Sequence, residues 1–381
     1  MRNLSRRAFL KSASAATLAA AALRGFAEPA KQRVFVASNS PDGVLAYDWD
    51  GATGTLSPAG VAAKIKMVDW IAFSPGHEYL YAACEVDTFN GKPTGEVASF
   101  RVEDGDLFPL STRNSASKGT CQVAVDKTGS VLLSADYGGG SAASFKITDG
   151  KLSEHVWTQH YTAHGPNRDR QKSAHAHFCS YSPDNRFAYV NDLGGDRIHI
   201  YHLDTETAKL RHAGTYHGAP GSGARTLHFH PNGHTAYCVN EIVSTVDVLE
   251  WHKSNGLLTL VTRIQLLPAG HHGPSRACDT VITRDGRFVY FANRLDNFLY
   301  SFKADPETGA LTPMVRSSCG GKTPRNFTLD PTERWMLVAN QASSLLSVFA
   351  RNPETGELAN EGKSVAAATP MCIAFVQQQG G

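Results

Sequence analysis

The sequence predicts an all-β fold, a seven-bladed β-propeller with four antiparallel strands per blade, its ring closed by strands from both ends of the chain. Three observations carry this. A Pro/Asn/Asp/Gly turn recurs at intervals of about fifty residues, the period of propeller blades. Each turn is flanked by short alternating strands, the pattern of a β-hairpin. The two ends hold complementary fragments of one more blade, and no long amphipathic helix or linker interrupts the series.

The first 27 residues stand apart from this pattern. Arg6-Arg7 is followed by Phe9-Leu10 and Lys11, then by the alanine-rich run Ala13–Leu23 and a small-x-small cleavage site at Gly25-Phe26-Ala27. This resembles a twin-arginine export signal. The apolar run is too short and too rich in alanine to span a bilayer comfortably. The expectation is therefore export by the twin-arginine translocase, a periplasmic protein with no stable membrane insertion after cleavage, and a single propeller domain over residues 28–381.

The repeating turns lie at Pro75-Gly76, Asp126–Gly129, Pro183–Asn185, Pro231–Gly233, Arg284–Gly286 and Pro331–Glu333. First strands precede them (Trp70–Phe73, Gln122–Val125, Phe178–Ser182, Thr226–His230, Thr280–Thr283, Phe327–Asp330). Second strands follow (Tyr79–Ala83, Val131–Ala135, Phe187–Val190, Thr235–Val239, Phe288–Ala292, Trp335–Ala339). Third strands come next, among them Ser141–Ile147 and Leu345–Arg351, and fourth strands follow turns such as PETGAL and PETGEL. These make six blades. Pro370–Val376 reads as a first strand with nothing after it, and Val34–Ala37 and Val44–Tyr47 as later strands with nothing before them. Paired, they close the ring and remove its open edges.

A hairpin returns its two ends to one side. Entrances to first strands carry His175, His177, Arg225, Arg276 and Arg325. Exits from second strands carry Glu85, Asp136-Tyr137, Asn191-Asp192, Asn240-Glu241, Arg294 and Gln341. All of these fall on one rim, with Arg225 beside Asn240 and Glu241. Arginines there suit a carboxylate or phosphate, and a carboxylate or neutral imidazole beside them suits activation of water.

The net charge of +2, with no basic stripe, gives no footing for nucleic acid. Seven cysteines, an odd number with no CxxC pair, read as small buried hydrophobes rather than a disulfide framework. The HAH pair at 175–177 has a spacing that metal sites use. His160, His164, His271 and His272 could add ligands, but no third ligand is fixed, and neither metal nor cofactor is assigned.

Segments 169–177 (DRQKSAHAH), 191–198 (NDLGGDRI), 223–241 (GARTLHFHPNGHTAYCVNE), 285–294 (DGRFVYFANR) and 323–331 (TPRNFTLDP) together resemble the seven-bladed β-propeller lactonases. That family includes propeller-type 6-phosphogluconolactonases and fungal carboxymuconate cyclases. The resemblance implies lactone chemistry without an obligatory metal and an active site at a His of the HAH segment, Arg225, Glu241 and Arg294. Where many members have Gly-Pro-Arg-His, this chain has Gly223-Ala224-Arg225-Thr226. The resulting expectation is a hydrolase opening an anionic sugar-derived lactone, 6-phosphogluconolactone-like or aldonic. Arg225 and Arg294 hold the anion and polarise the carbonyl, and Glu241, helped by His175 or His177, activates water. Arg276, Arg325, Asp192, Asn240 and Gln341 complete the binding rim. The alternatives are a muconate-type lactonizing cycloisomerase and a non-catalytic propeller that binds a ligand or protein on the same face.

Overall fold

The second strands are runs of Val, Ala, Leu, Tyr and Phe, residues that suit a pleated surface packed on both sides. In the computed structural model, which describes residues 32–376, they lie inside seven four-stranded antiparallel sheets. The export segment expected at residues 1–27 lies outside the described residues. The first blade combines Pro370–Phe375 with Gln32–Ser38, Val44–Asp50 and Thr55–Ala63. The other six follow in chain order, opening with the inner strands Val68–Phe73, Thr120–Val125, Ala176–Tyr181, Ala224–Phe229, Ala277–Ile282 and Pro324–Leu329. Among the described residues the helical content is a single 3-10 turn, Gln341–Ser343.

Ring closure is as the sequence implies. Val34, Phe35, Val36 and Ala37 pair with Phe375, Ala374, Ile373 and Cys372. The C-terminal strand is thus the innermost strand of the blade that the N-terminal segment continues.

Burial falls from the axis outward. The second strands Val131–Asp136, Phe187–Asp192, Thr235–Asn240 and Phe288–Asn293 are buried at every residue, whereas the outer strand Leu258–Gln265 is mostly exposed. The half-buried alternation read from the sequence is therefore replaced on these strands by burial of both faces, because each blade is clasped between two others. Blades are also latched by hydrogen bonds. Tyr189, Tyr237 and Tyr290 hydroxyls donate to the carbonyls of Gly256, Gly309 and Gly356 in the next blade. Gly356 sits at φ +74°, and a Cβ there would collide with the Phe288 ring, so the turn needs glycine. All seven cysteines are buried and free.

One irregularity recurs around the ring. In each inner strand the ladder skips a position near the entrance. The skipped residues are Asp69, Cys121, His177, Arg225, Arg325 and Met371, and in the sixth blade the shift falls across Cys278-Asp279. A β-bulge leaves one residue unpaired and re-aims its side chain. Here six of these residues together line a space that six blades enclose, which places it on the ring axis.

The closing strand provides a test. Deleting residues 370–381 removes an inner strand and opens two blade faces. Cooperative thermal unfolding should be lost, as followed by circular dichroism; a truncated chain that still melts in one sharp transition would contradict ring closure as the basis of stability.

Candidate active site

Two concentric sets of residues build the rim. The outer set is held by seven equivalent backbone hydrogen bonds. The N–H groups of Asn39, Glu85, Tyr137, Leu193, Glu241, Arg294 and Gln341 donate to the carbonyls of Thr369, Met67, Gly119, His175, Gly223, Arg276 and Thr323. The inner set is the bulged residues two positions beyond those carbonyls. Four members of the outer set (Glu85, Tyr137, Glu241, Arg294) and three bulged residues (Cys121, His177, Arg325) enclose a cavity of about 180 Å³, with Arg170 from the loop before the fourth blade.

Glu241 is its centre. Its Oε2 lies 2.9 Å from Arg225 Nε and 2.5 Å from Arg294 Nη2, and its Oε1 lies 2.6 Å from Arg170 Nη2. The carboxylate is 1 % exposed. Arg170 also donates to the Tyr137 hydroxyl at 3.1 Å. Its loop is pinned by buried Gln171, whose amide donates to the Leu193 carbonyl and to Asp196 Oδ1. Arg225 Nη1 donates to the Cys278 carbonyl. On the other side Arg325 Nη2 contacts Asp69 Oδ2 at 2.9 Å. His175 stacks on Tyr137 at 4.4 Å between centroids, and His177 meets the same ring edge-on at 5.5 Å.

Charge in this space is unbalanced. Burial pulls the Glu241 carboxyl upward, but Arg294 and Arg225 overcome it and hold it far below the usual carboxylate range. Burial, reinforced by Arg225, drives the His177 imidazole well below its ordinary value, so it is neutral at working pH. Burial and the neighbouring Asp69 push Glu85 up to about 8 against the pull of Arg325. Burial lowers Arg294 to about 10 despite Glu241. Four guanidiniums (Arg170, Arg225, Arg294 and Arg325) thus face three carboxyls (Asp69, Glu85 and Glu241), of which Glu85 is pushed toward its neutral form. The cavity is cationic and fits an anion or a developing oxyanion. Buried Arg294 Nε has no hydrogen-bond acceptor among the described residues.

A family model described as "Lactonase, 7-bladed beta-propeller" matches residues 33–375. The chain belongs to the seven-bladed β-propeller lactonase family. A 6-phosphogluconolactonase of Bacillus subtilis is 29% identical over 340 residues, covering 88% of this chain and 95% of that protein. The structure of a periplasmic gluconolactonase from Pseudomonas aeruginosa superposes with a TM-score of 0.86 at 31% identity, covering 91% of this chain and 99% of the other. A putative 6-phosphogluconolactonase from Bacteroides fragilis gives 0.84 at 26%, covering 93% and 100%.

In this lactonase the rim candidates separate by position. His177, Arg225, Glu241, Arg294 and Arg325 converge, and Arg225 lies beside Glu241 as the hairpin requires. His175 and Arg276 supply the carbonyls that hold Leu193 and Arg294 of the outer set, and neither lines the cavity. Their backbone is what the rim uses: the His175 and Arg276 N–H groups donate to Asp192 Oδ1 and Asn293 Oδ1 at 2.8 and 2.7 Å. Asp192 also accepts from Gly195 N, and the Asn240 amide donates to Thr245 Oγ1, so both fasten the rim. Gln341 starts the 3-10 turn. Arg276, Asp192, Asn240 and Gln341 are therefore outside this cavity's lining. Sequence reasoning missed Arg170, although it lies in the 169–177 segment, and the Asp69–Glu85 pair. Among the described residues no three His, Cys, Asp or Glu side chains converge as a metal set.

A larger cavity of about 660 Å³ opens at the turn end of the axis, but no arginine or carboxylate lines it. Trp70 and Phe178, edge to face at 5.9 Å, stand between the two ends.

The Glu85 proton has a consequence for stability. A carboxyl whose folded pKa exceeds its ordinary 4.5 binds more protons folded than unfolded in the window between the two. Stability therefore falls as pH climbs from there toward 8. The melting temperature of Glu85→Gln should fall less than that of the wild type between pH 6 and 9 and exceed it at pH 9; parallel curves would show that Glu85 does not hold this proton.

Proposed function

We propose that this lactonase hydrolyses a small anionic or polyhydroxylated sugar-derived lactone in the periplasm. The observation that carries the reading is the buried surplus of arginine in a cavity closed by Arg170. The names of its relatives, a 6-phosphogluconolactonase and a periplasmic gluconolactonase, support the substrate class. The Arg6-Arg7 segment supports the compartment.

Lactone opening needs charge stabilisation on the carbonyl oxygen and a group that takes a proton from water. Arg294, with its Nε free of acceptors, is placed to receive the carbonyl oxygen as it becomes an oxyanion. Arg170 and Arg325 hold the substrate's polar or anionic groups. His177 lines the cavity and its imidazole is neutral, so we assign it as the base for water. Glu241, the base that the sequence suggests, has both oxygens within ion-pair distance of guanidiniums, and Oε1 accepts a hydrogen bond from Arg170. We assign it instead to holding Arg170, Arg225 and Arg294 in place.

A panel of aldonolactones, with and without a phosphate, followed by pH-stat and NMR, tests this. Hydrolysis should exceed the spontaneous rate, persist in chelator, and incorporate one water per product. Arg294→Lys should lower kcat by about 10²–10³-fold, the scale for losing an oxyanion donor. The activity should be periplasmic and should stay in the cytoplasm when Arg6 and Arg7 become Lys. No acceleration on any lactone would favour a non-catalytic binding propeller, and a product that gains no water would favour cyclisation.

A further inference from the structure

The residues above supply a base and an oxyanion site but no proton for the ring oxygen that departs. An alkoxide leaves poorly unless it is protonated as the bond breaks. Two carboxyls not yet used by the mechanism stand on the opposite side of the same space. Asp69 is the bulged residue of the second blade's inner strand and is 3 % exposed. Glu85 is the outer-set residue at the end of the next strand, and it lines the cavity that holds Glu241. Arg325 Nη2 donates to Asp69 Oδ2. Asp69 Oδ1 is buried with no hydrogen-bond partner among the described residues.

We propose that Glu85, sharing one proton with Asp69, is the general acid that protonates the departing ring oxygen. This rests on the lactonase reading. The groups facing Glu85 are Asp69, Asp87 on its own loop and Arg325 from the seventh blade. Across the cavity stand Cys121 and Tyr137 of the third blade, and His177, Arg170, Glu241 and Arg294. The near negative charges favour the protonated acid. Arg325 opposes them but is already committed to Asp69. Burial disfavours the ionised form of Glu85, and the Asp69 carboxyl adds to that cost.

The step balances. Water oxygen bonds to the carbonyl carbon and its proton passes to His177. The tetrahedral intermediate collapses, and the bond from carbon to ring oxygen breaks with its electron pair going to oxygen. That oxygen takes the Glu85 proton. The His177 proton then returns through the cavity to the Asp69–Glu85 pair. One water is consumed, and one carboxylic acid and one hydroxyl are formed.

The test uses the full protein, kcat–pH profiles and two lactones: an aliphatic aldonolactone, whose leaving group is an alkoxide, and dihydrocoumarin, whose phenolate leaves without a proton. Wild-type kcat on the aliphatic lactone should fall above about pH 8. Glu85→Gln should lose roughly 10²–10⁴-fold in kcat on that lactone, lose far less on dihydrocoumarin, and show no alkaline fall. Glu85→Asp should recover part of the rate, and serves as the second variant if Glu85→Gln does not fold. Equal losses on the two lactones, an alkaline limb that survives in Glu85→Gln, or turnover within a few-fold of wild type would overturn the proposal while leaving the lactonase reading intact. A wild-type protein that hydrolyses neither lactone would end both.

Discussion

A single buried carboxylate, Glu241, is the constraint on which the site depends. Three guanidiniums from three different parts of the chain meet on its two oxygens. Without it, Arg225 and Arg294 would face one another with both side chains buried, and burial already weakens the proton affinity of Arg294. Removing one partner of a buried ion pair leaves the other charge uncompensated, which is the costly event. Arg170 is tied to the rest through the same carboxylate, so the loop that closes the cavity is held by electrostatics at its tip and by Gln171 at its base.

The propeller makes this arrangement possible by a repeated small defect. The skipped ladder positions turn Asp69, Cys121, His177, Arg225, Arg325 and Met371 toward the axis. The backbone bonds of the outer ring set Glu85, Tyr137, Glu241 and Arg294 above them. Six blades contribute the same single-residue bulge, and there only the side chain differs. A chemically diverse cavity can therefore sit on a nearly uniform scaffold, with aromatic contact between Trp70 and Phe178 separating it from the far end of the axis.

Much of this was legible in the chain. Turn spacing and strand alternation carried the blade count, and the unpaired fragments at 34–47 and 370–376 carried the closure. Hairpin geometry alone put Arg225 beside Glu241. The bulge was not legible, because its residues share no chemistry: an acid, two arginines, a histidine, cysteine and methionine occupy equivalent places. It shifts side-chain parity, and that is why His177 enters the cavity while His175 remains stacked on Tyr137 outside its lining. Arg170 was hidden for another reason: it reaches the site from a connecting loop that has no equivalent in the hairpin repeat. The place of Asp69 was hidden by the same bulge, which the sequence does not mark.

The most direct measurement is thermal unfolding of Glu241→Gln alongside its steady-state kinetics on the same preparation. If Glu241 braces the arginines, the variant should lose about 3–5 kcal/mol of stability, bind substrate more weakly, and keep the pH limbs of the wild-type profile. A Glu241→Gln protein as stable as the wild type, with unchanged KM and only kcat reduced, would show that Glu241 is the base and that the arginines do not need it.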